Sequence, residues 1–197
     1  MDRVAIEDVP PDAIETDSER RRLADPLGAE GVAVTHYRVA PGDGLPAGLH
    51  AHPEQEELFV VLAGVAAFEV LLPREDGHET REVTVEASEA VRFAPGEFQS
   101  GHNAGDDELV VFAFGAPREA EPVLTPLPCP DCGHDELRID AAASGVELVC
   151  PDCAAAHVPG GCPDCGAEMR ATLRRGDVGV ACPACGHEQT TPPLTRS

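Results

Sequence analysis

Residues 44–64 read GLPAGLHAHPEQEELFVVLAG and bring two histidines and a carboxylate into a run that otherwise has the pattern of barrel strands. His50 and His52 are two apart, so on an extended strand both side chains leave the same face. Pro53 removes a backbone donor and interrupts the ladder, which predicts a turn over residues 53–55 and returns Glu57, at the head of a strand over 58–62, toward the imidazoles. Two imidazoles and one carboxylate suit a divalent transition metal, with positions left open for water or substrate.

Working outward, the strand pattern continues on both sides. VAVTHYRVA from residue 32, then residues 66–72, 81–86, 90–93 and 108–115, alternate β-branched or aromatic residues with charges, and Gly, Pro, Asp and Asn clusters separate them. Short strands at this spacing predict an antiparallel sandwich or barrel. All six Phe and the single Tyr lie between Tyr37 and Phe114, which places the expected hydrophobic core in this segment.

The spacing Gly44, five residues, His50, one residue, His52, four residues, Glu57, six residues, Gly64 resembles the first motif of the cupin superfamily at every anchoring position. Residues 88–103, SEAVRFAPGEFQSGHN, resemble the second motif: Gly96 and Asn103 stand where the family has them, whereas Ser88 replaces the leading glycine and Ala94 the first proline. Gln99 replaces the histidine that usually completes the metal site. The resemblance covers roughly residues 28–118 and implies a double-stranded antiparallel β-barrel of the cupin or jelly-roll kind. It implies one divalent metal (Fe, Mn, Zn or Ni) on His50, His52 and Glu57, with the Gln99 amide oxygen as a fourth, weaker ligand. Oxygenase, isomerase or simple binding chemistry on a small molecule would follow. His102 needs a turn to reach such a metal. His36 is expected at the surface or satisfied, and His78 in an inert polar turn.

The segment before the barrel, residues 1–27, is expected to pack on it without chemistry of its own. A short strand is expected over residues 3–6, and one helical turn in the polar stretch that ends before Pro26. After Ala116 the composition changes. PREAEPVLTPLP holds four prolines in twelve residues, so residues 119–127 are expected to be an extended, semi-rigid connector without strand pattern.

All eight cysteines follow in four knuckles, Cys129-Pro-Asp-Cys132, Cys150-Pro-Asp-Cys153, Cys162-Pro-Asp-Cys165 and Cys182-Pro-Ala-Cys185. Seventeen residues separate the first two knuckles and sixteen the last two, and each interval carries two strand-like runs around a turn. Paired thiolates at each end of a hairpin are what a tetrahedral four-sulfur zinc site requires, so two tandem zinc ribbons with two structural zinc ions are expected over residues 128–158 and 159–191. Disulfides, iron in place of zinc, and a cross-braced pairing of first with third and second with fourth knuckles remain open. Gly133, Gly166 and Gly186 follow three second cysteines, and Ala154 breaks that pattern. His134, His157 and His187 are surplus to four-sulfur sites and are expected to be solvent-exposed.

The chain carries 36 acidic residues against 14 basic ones, all arginine, for a formal net charge of −22. An acidic, lysine-free surface resembles that of proteins from salt-in halophiles, where carboxylates hold water while salt screens their repulsion. The charge weighs against broad contact with nucleic acid or anionic membrane, although Arg170, Arg174 and Arg175 form one basic spot on the second hairpin. No apolar run approaches the ~18 residues that span a bilayer, and thiols in metal-type pairs suit a reducing, cytoplasmic compartment.

Two functions therefore stand. One is a metal-dependent barrel that binds or senses a small molecule and is docked to a protein partner by its ribbons, with a homodimer also open. The other is a small metalloenzyme whose ribbons only stabilise or oligomerise it.

Overall fold

The computed structural model describes every residue except 13–17, 75–76, 120–121, 143–144 and 175. Eight strands come first: β1 (Glu19–Arg22), β2 (Ala33–Val39), β3 (Glu56–Ala63), β4 (Val65–Arg74), β5 (Gly77–Glu86), β6 (Ala90–Phe93), β7 (Phe98–Asn103) and β8 (Leu109–Ala116). They form one sheet ordered β1-β2-β8-β3-β6 and a second ordered β5-β4-β7. Every pairing within them is antiparallel. The period-2 alternation sends Phe59 and Val61 inward with Glu57 at the head of the same row, to meet Val39, Phe68, Val70, Val85, Phe93, Leu109 and Val111 from the other strands. The rings of Phe59, Phe68 and Phe93 pack at centroid separations of 4.9 to 5.9 Å. This is the expected all-β, double-stranded barrel.

The amino-terminal segment differs from expectation. Residues 3–5 are not a strand, a 3-10 turn spans Ile6–Asp8, and the strand is β1, inside the polar stretch. Its sequence, Glu-Arg-Arg-Arg, hides a strand because even its buried side chain, Arg21, is an arginine, covered by the amino-terminal segment on the face turned away from the barrel core. Arg21 is buried, donates from Nε to the Val9 carbonyl at 3.0 Å, and pairs with Glu19 at 2.5 Å. A charge buried with that many partners is tolerated. His78 likewise lies on strand β5 rather than in a turn, and is exposed there.

Beyond the barrel come β9 (Val123–Thr125), β10 (Leu137–Ala142), β11 (Gly145–Val149), β12 (Ala156–Pro159), β13 (Arg170–Arg174), β14 (Asp177–Ala181), β15 (Glu188–Gln189) and β16 (Leu194–Arg196). The proline-rich connector is thus not strand-free: β9 pairs with β10 of the first hairpin. That hairpin grows into a sheet ordered β16-β12-β11-β10-β9, while the second forms β13-β14-β15.

The two small modules do not stand apart from the barrel. Leu49, Ala51, Leu71 and Phe98 on the barrel side pack with Leu127, Leu137, Leu148, Ala171 and Val180 in a second buried core. Confining the core to the aromatic segment was therefore too narrow, because this second core is aliphatic and has Phe98 as its one aromatic member. The covered face is that of the β5-β4-β7 sheet, and Thr172 on β13 donates to the Glu69 carboxylate on β4 at 3.2 Å.

Candidate metal centre and its thiolate modules

Residues 44–51 run as a strap beside β7. Gly44 bridges His102, and His50 exchanges both backbone hydrogen bonds with Gln99, at 3.1 and 2.9 Å. On the strap's other edge Ala51 exchanges two bonds of 2.9 Å with Leu124 of β9, and the Leu49 N–H donates to the Ala171 carbonyl at 2.8 Å. Hydrogen bonding therefore passes from β7 through the strap into the ribbon sheets. A Cβ on Gly48 would stand 2.8 Å from the Ala171 oxygen, and φ there is +64°, so only glycine fits this close approach.

The strap delivers the two imidazoles as the alternation predicts. The ring centroids of His50 and His52 lie 5.2 Å apart, nearly perpendicular. His50 Nδ1 sits 2.8 Å from the Gly48 carbonyl, which fixes it as the donor and leaves Nε2 facing the pocket. Glu57 Oε1 is 3.6 Å from His52 Nε2. One ligand atom from each of His50, His52 and Glu57 falls within 4.8 Å of the others, so the three donors converge on one space. His52 Nδ1 is buried without a hydrogen-bond partner. Burial holds His52 below its ordinary value of 6.5, and Glu57 opposes the shift while His50 adds to it. The imidazole is thus neutral near pH 7, as metal ligation requires. This donor set fits a divalent ion.

Gln99 joins the cluster through the other end of its amide. Its Nε2 donates to Glu57 Oε2 at 2.9 Å and lies 3.4 Å from His50 Nε2, so as placed it holds the carboxylate, and its oxygen meets an ion only after the amide turns over. His102 points elsewhere on β7 and takes no part in the cluster. Asn103, the other anchor of the second motif, closes a turn: its amide donates to the carbonyls of Val39 and Asp107, both at 2.8 Å.

A pocket of about 150 Å³ opens over these groups, and Arg20 and Tyr37 line it. Sequence reasoning passed over both, since Arg20 lies in the stretch given no chemistry and Tyr37 looked like core. Burial raises the Tyr37 hydroxyl above 10.0, Arg20 lowers it and Glu57 raises it again, so it is a protonated donor at neutral pH. His36 is not at the surface and not satisfied: it is buried on the far face of β2, with Nδ1 unpartnered and Phe112 5.1 Å away.

In the thiolate modules the sulfurs gather by consecutive pairing, as Cys129, Cys132, Cys150 and Cys153, and as Cys162, Cys165, Cys182 and Cys185. None is in a disulfide. Sulfur separations of 3.8 and 3.6 Å in the first set, and 3.6 and 3.5 Å in the second, match the ~3.8 Å edge of a tetrahedron with Zn–S bonds of about 2.3 Å. Burial opposes the thiolate of Cys150, but backbone N–H groups of Cys153 and Asp152 outweigh it and bring the thiol down to about 7. Cys182 comes down to about 7 in the same way. Ala154 adopts φ +57°, beside +78°, +80° and +73° at Gly133, Gly166 and Gly186, so the second knuckle keeps the shape of the others. His157 is buried rather than exposed, with Nε2 3.9 Å from Cys129 Sγ, while His187 bonds Asp164 at 2.8 Å. Of the basic spot, Arg170 lines a cleft of about 1140 Å³ at the barrel–ribbon boundary, and Arg175 lies outside the described residues.

No known family profile matches the chain, and no curated protein matches it. Among solved structures it is similar to the Lactobacillus farciminis oxalate decarboxylase formate complex, at 17% identity and TM-score 0.49 over 58% of this chain and 33% of that one. An oxalate oxidase in complex with glycolate matches at 21% identity and TM-score 0.48 over 56% of each chain. An uncharacterized conserved protein with a double-stranded beta-helix domain from Klebsiella pneumoniae matches at 17% identity and TM-score 0.45, over 60% of this chain and 91% of that one. At these identities the likeness is one of barrel fold. The chain spans a third of the first of these proteins and just over half of the second. Among the described residues no helix is long and apolar enough to cross a membrane.

Proposed function

We propose that this chain is a cytoplasmic metal-binding cupin whose barrel holds one divalent transition metal on His50, His52 and Glu57 and there binds or senses a small molecule. The observation that carries this reading is the convergence of three ligand atoms within 4.8 Å at the floor of an open pocket. Gln99 completes the set by fixing Glu57. A bound ion would supply Lewis acidity; the chain's own groups orient the guest and exclude water around it. The two four-cysteine modules carry structural zinc and clamp the histidine strap from outside. The face of β12 that carries Val158, 40% exposed, is the surface left for a protein partner.

The enzymatic reading gains one observation. Tyr37 puts a protonated hydroxyl in the pocket, a proton carrier that the motif alone did not supply. Cobalt(II) titrated into the zinc-loaded full-length protein tests the proposal. Binding at one site with nitrogen and oxygen ligation, free of thiolate charge-transfer bands and abolished by His52→Ala, supports it; cobalt that enters only through thiolates contradicts it.

A further inference from the structure

The two thiolate modules repeat one another in sequence but differ in how their sulfurs are covered. Cys129 and Cys150 belong to the second buried core, whereas Cys162 and Cys182, although buried, lie outside it. The register adds another difference. His157 stands opposite Leu148, two residues before Cys150, and Gln189 stands opposite Val180, two residues before Cys182, so the two occupy equivalent places. His157 is buried, with Nε2 3.9 Å from both Cys129 Sγ and the Asp131 carboxylate, two acceptors that fix this nitrogen as the donor. Gln189 turns its side chain away, to His187 at 3.3 Å and the Thr191 carbonyl at 2.7 Å. Four thiolates around one divalent ion carry surplus negative charge, and an N–H aimed at a sulfur lowers its reactivity. The second sulfur set lacks the donor that covers the first from this position.

Cys165 and Cys185 are exposed, and each lies beside a buried partner: Cys165 Sγ is 3.5 Å from that of Cys182, and Cys185 Sγ is 3.6 Å from that of Cys162. A hydroperoxide can reach the exposed sulfur of either pair. Its O–O bond breaks, the sulfur takes one oxygen as a sulfenic acid, and the other oxygen leaves as water or an alcohol. The buried partner then attacks, the S–S bond forms, and the first oxygen leaves as water. Two thiolates lose two electrons, the peroxide gains them with two protons, and the resulting disulfide no longer holds an ion. Cys132 and Cys153 of the first module are exposed as well, so core packing and His157 are what separate the two modules.

The second module is also the one seated against the first imidazole of the barrel. Ala171, paired with Val180, accepts from the Leu49 N–H at 2.8 Å, and Gly48 packs so closely on β13 that a Cβ there would stand 3.1 Å from Arg170 Cβ. The Gly48 carbonyl in turn accepts from His50 Nδ1 at 2.8 Å and so aims Nε2 at the pocket. A continuous path therefore runs from Cys182 along β14 and β13 through Gly48 to His50. We propose that the second four-cysteine module is a peroxide-reactive thiol site, and that its oxidation expels its metal and loosens the barrel's grip on an ion at His50, His52 and Glu57. The coupling rests on the metal-centred reading above; the thiol chemistry needs only the second module.

Zinc-loaded full-length protein, treated with graded hydrogen peroxide, quenched with catalase and mapped by peptide mass spectrometry, tests the thiol chemistry. Disulfides among Cys162, Cys165, Cys182 and Cys185 are expected to form roughly tenfold faster than among Cys129, Cys132, Cys150 and Cys153, with release of zinc. His157→Gln, which gives the first module the residue of the second, is expected to narrow that gap. Manganese(II) titrated into the quenched protein and followed by electron paramagnetic resonance reads the coupling. Its affinity is expected to fall roughly tenfold on oxidation and to return once the thiols are reduced and reloaded with zinc. Equal oxidation of the two modules, faster oxidation of the first, or no disulfide in the second would overturn the site. Manganese affinity unchanged after oxidation of the second module would overturn the coupling. A barrel that takes no manganese before oxidation would sink the metal reading instead, while the thiol map would still decide the peroxide site.

Discussion

The amide of Leu49 donates to the carbonyl of Ala171 at 2.8 Å, so the residue before His50 is held by the second thiolate module. Ala51, the residue after it, is held by Leu124 on the strand that leads into the first. The histidine between them faces the barrel. Order in the two modules is in this way a condition of order at the metal strap.

Chelating zinc from the full-length protein, or replacing Cys182 with Ser, should therefore raise amide hydrogen exchange at Leu49 and Ala51, two positions far from any cysteine in sequence. Small thiolate modules depend on their metal to fold, and Ala171 and Val180 leave the second core when the module opens. Unchanged protection at Leu49 in the Cys182→Ser protein would show that the modules do not brace the strap.

Two positions take a left-handed backbone without being glycine where the local pattern calls for one. Ser88 has φ +73° at the start of the second motif, and Ala154 has φ +57° after the second knuckle. Ser88→Gly and Ala154→Gly should each stabilise by about 1 kcal/mol, since relief of the Cβ clash exceeds the added unfolded-state entropy. Chemical denaturation of the zinc-loaded protein measures both; a loss of stability in either would remove the strain argument at that site.

Much of this was legible in the sequence, and the failures share a cause. Strands β2, β3, β5, β6 and β8 carry enough apolar–polar alternation to read as an amphipathic sheet, β4 reads as an apolar run, and the knuckle spacing favours the two consecutive sulfur sets over the cross-brace it left open. β1 escaped because its buried residue is Arg21, satisfied by partners distant in sequence. β9 escaped because its role comes from tertiary pairing with Ala51 and β10, which local composition cannot reveal. Arg20 reached the pocket by the same route, through a strand whose existence the charge pattern concealed, whereas Tyr37, on the expected strand β2, was read as core. His157 and His36 were misplaced because a histidine's burial depends on what packs over it.

Burial lowers His36 from its ordinary 6.5, with Arg21 and Arg38 adding to the effect and Glu7 and Glu19 opposing it. His52 is lowered as well. A base depressed in the folded state binds more protons when unfolded, so stability falls as pH drops below 6.5 and levels off below the folded value. The free energy of unfolding, read from chemical denaturation, should decline from about pH 7 toward 5, by no more than ~1.4 kcal/mol per pH unit for each histidine. His36→Phe should flatten part of that decline. An equal slope in the variant would place the proton uptake elsewhere.

The charge of −22 with no lysine leads us to propose a salt-dependent fold. Raising potassium chloride from 0.1 M to 1 M shortens the screening length from about 10 Å to about 3 Å and should raise the melting temperature markedly. A melting temperature independent of salt would set aside the halophilic reading.

The central claim is that three metal sites coexist in one chain, two of sulfur and one of imidazole and carboxylate. Elemental analysis of the full-length protein, equilibrated with zinc and manganese and then desalted, tests it most directly. The account predicts two zinc ions and one further divalent metal per chain, falling to two zinc ions alone in the His50→Ala, His52→Ala double variant. Gln99→His should retain the third metal more firmly, since it offers an imidazole in place of an amide. Two metals per chain in both the native protein and the double variant would contradict it.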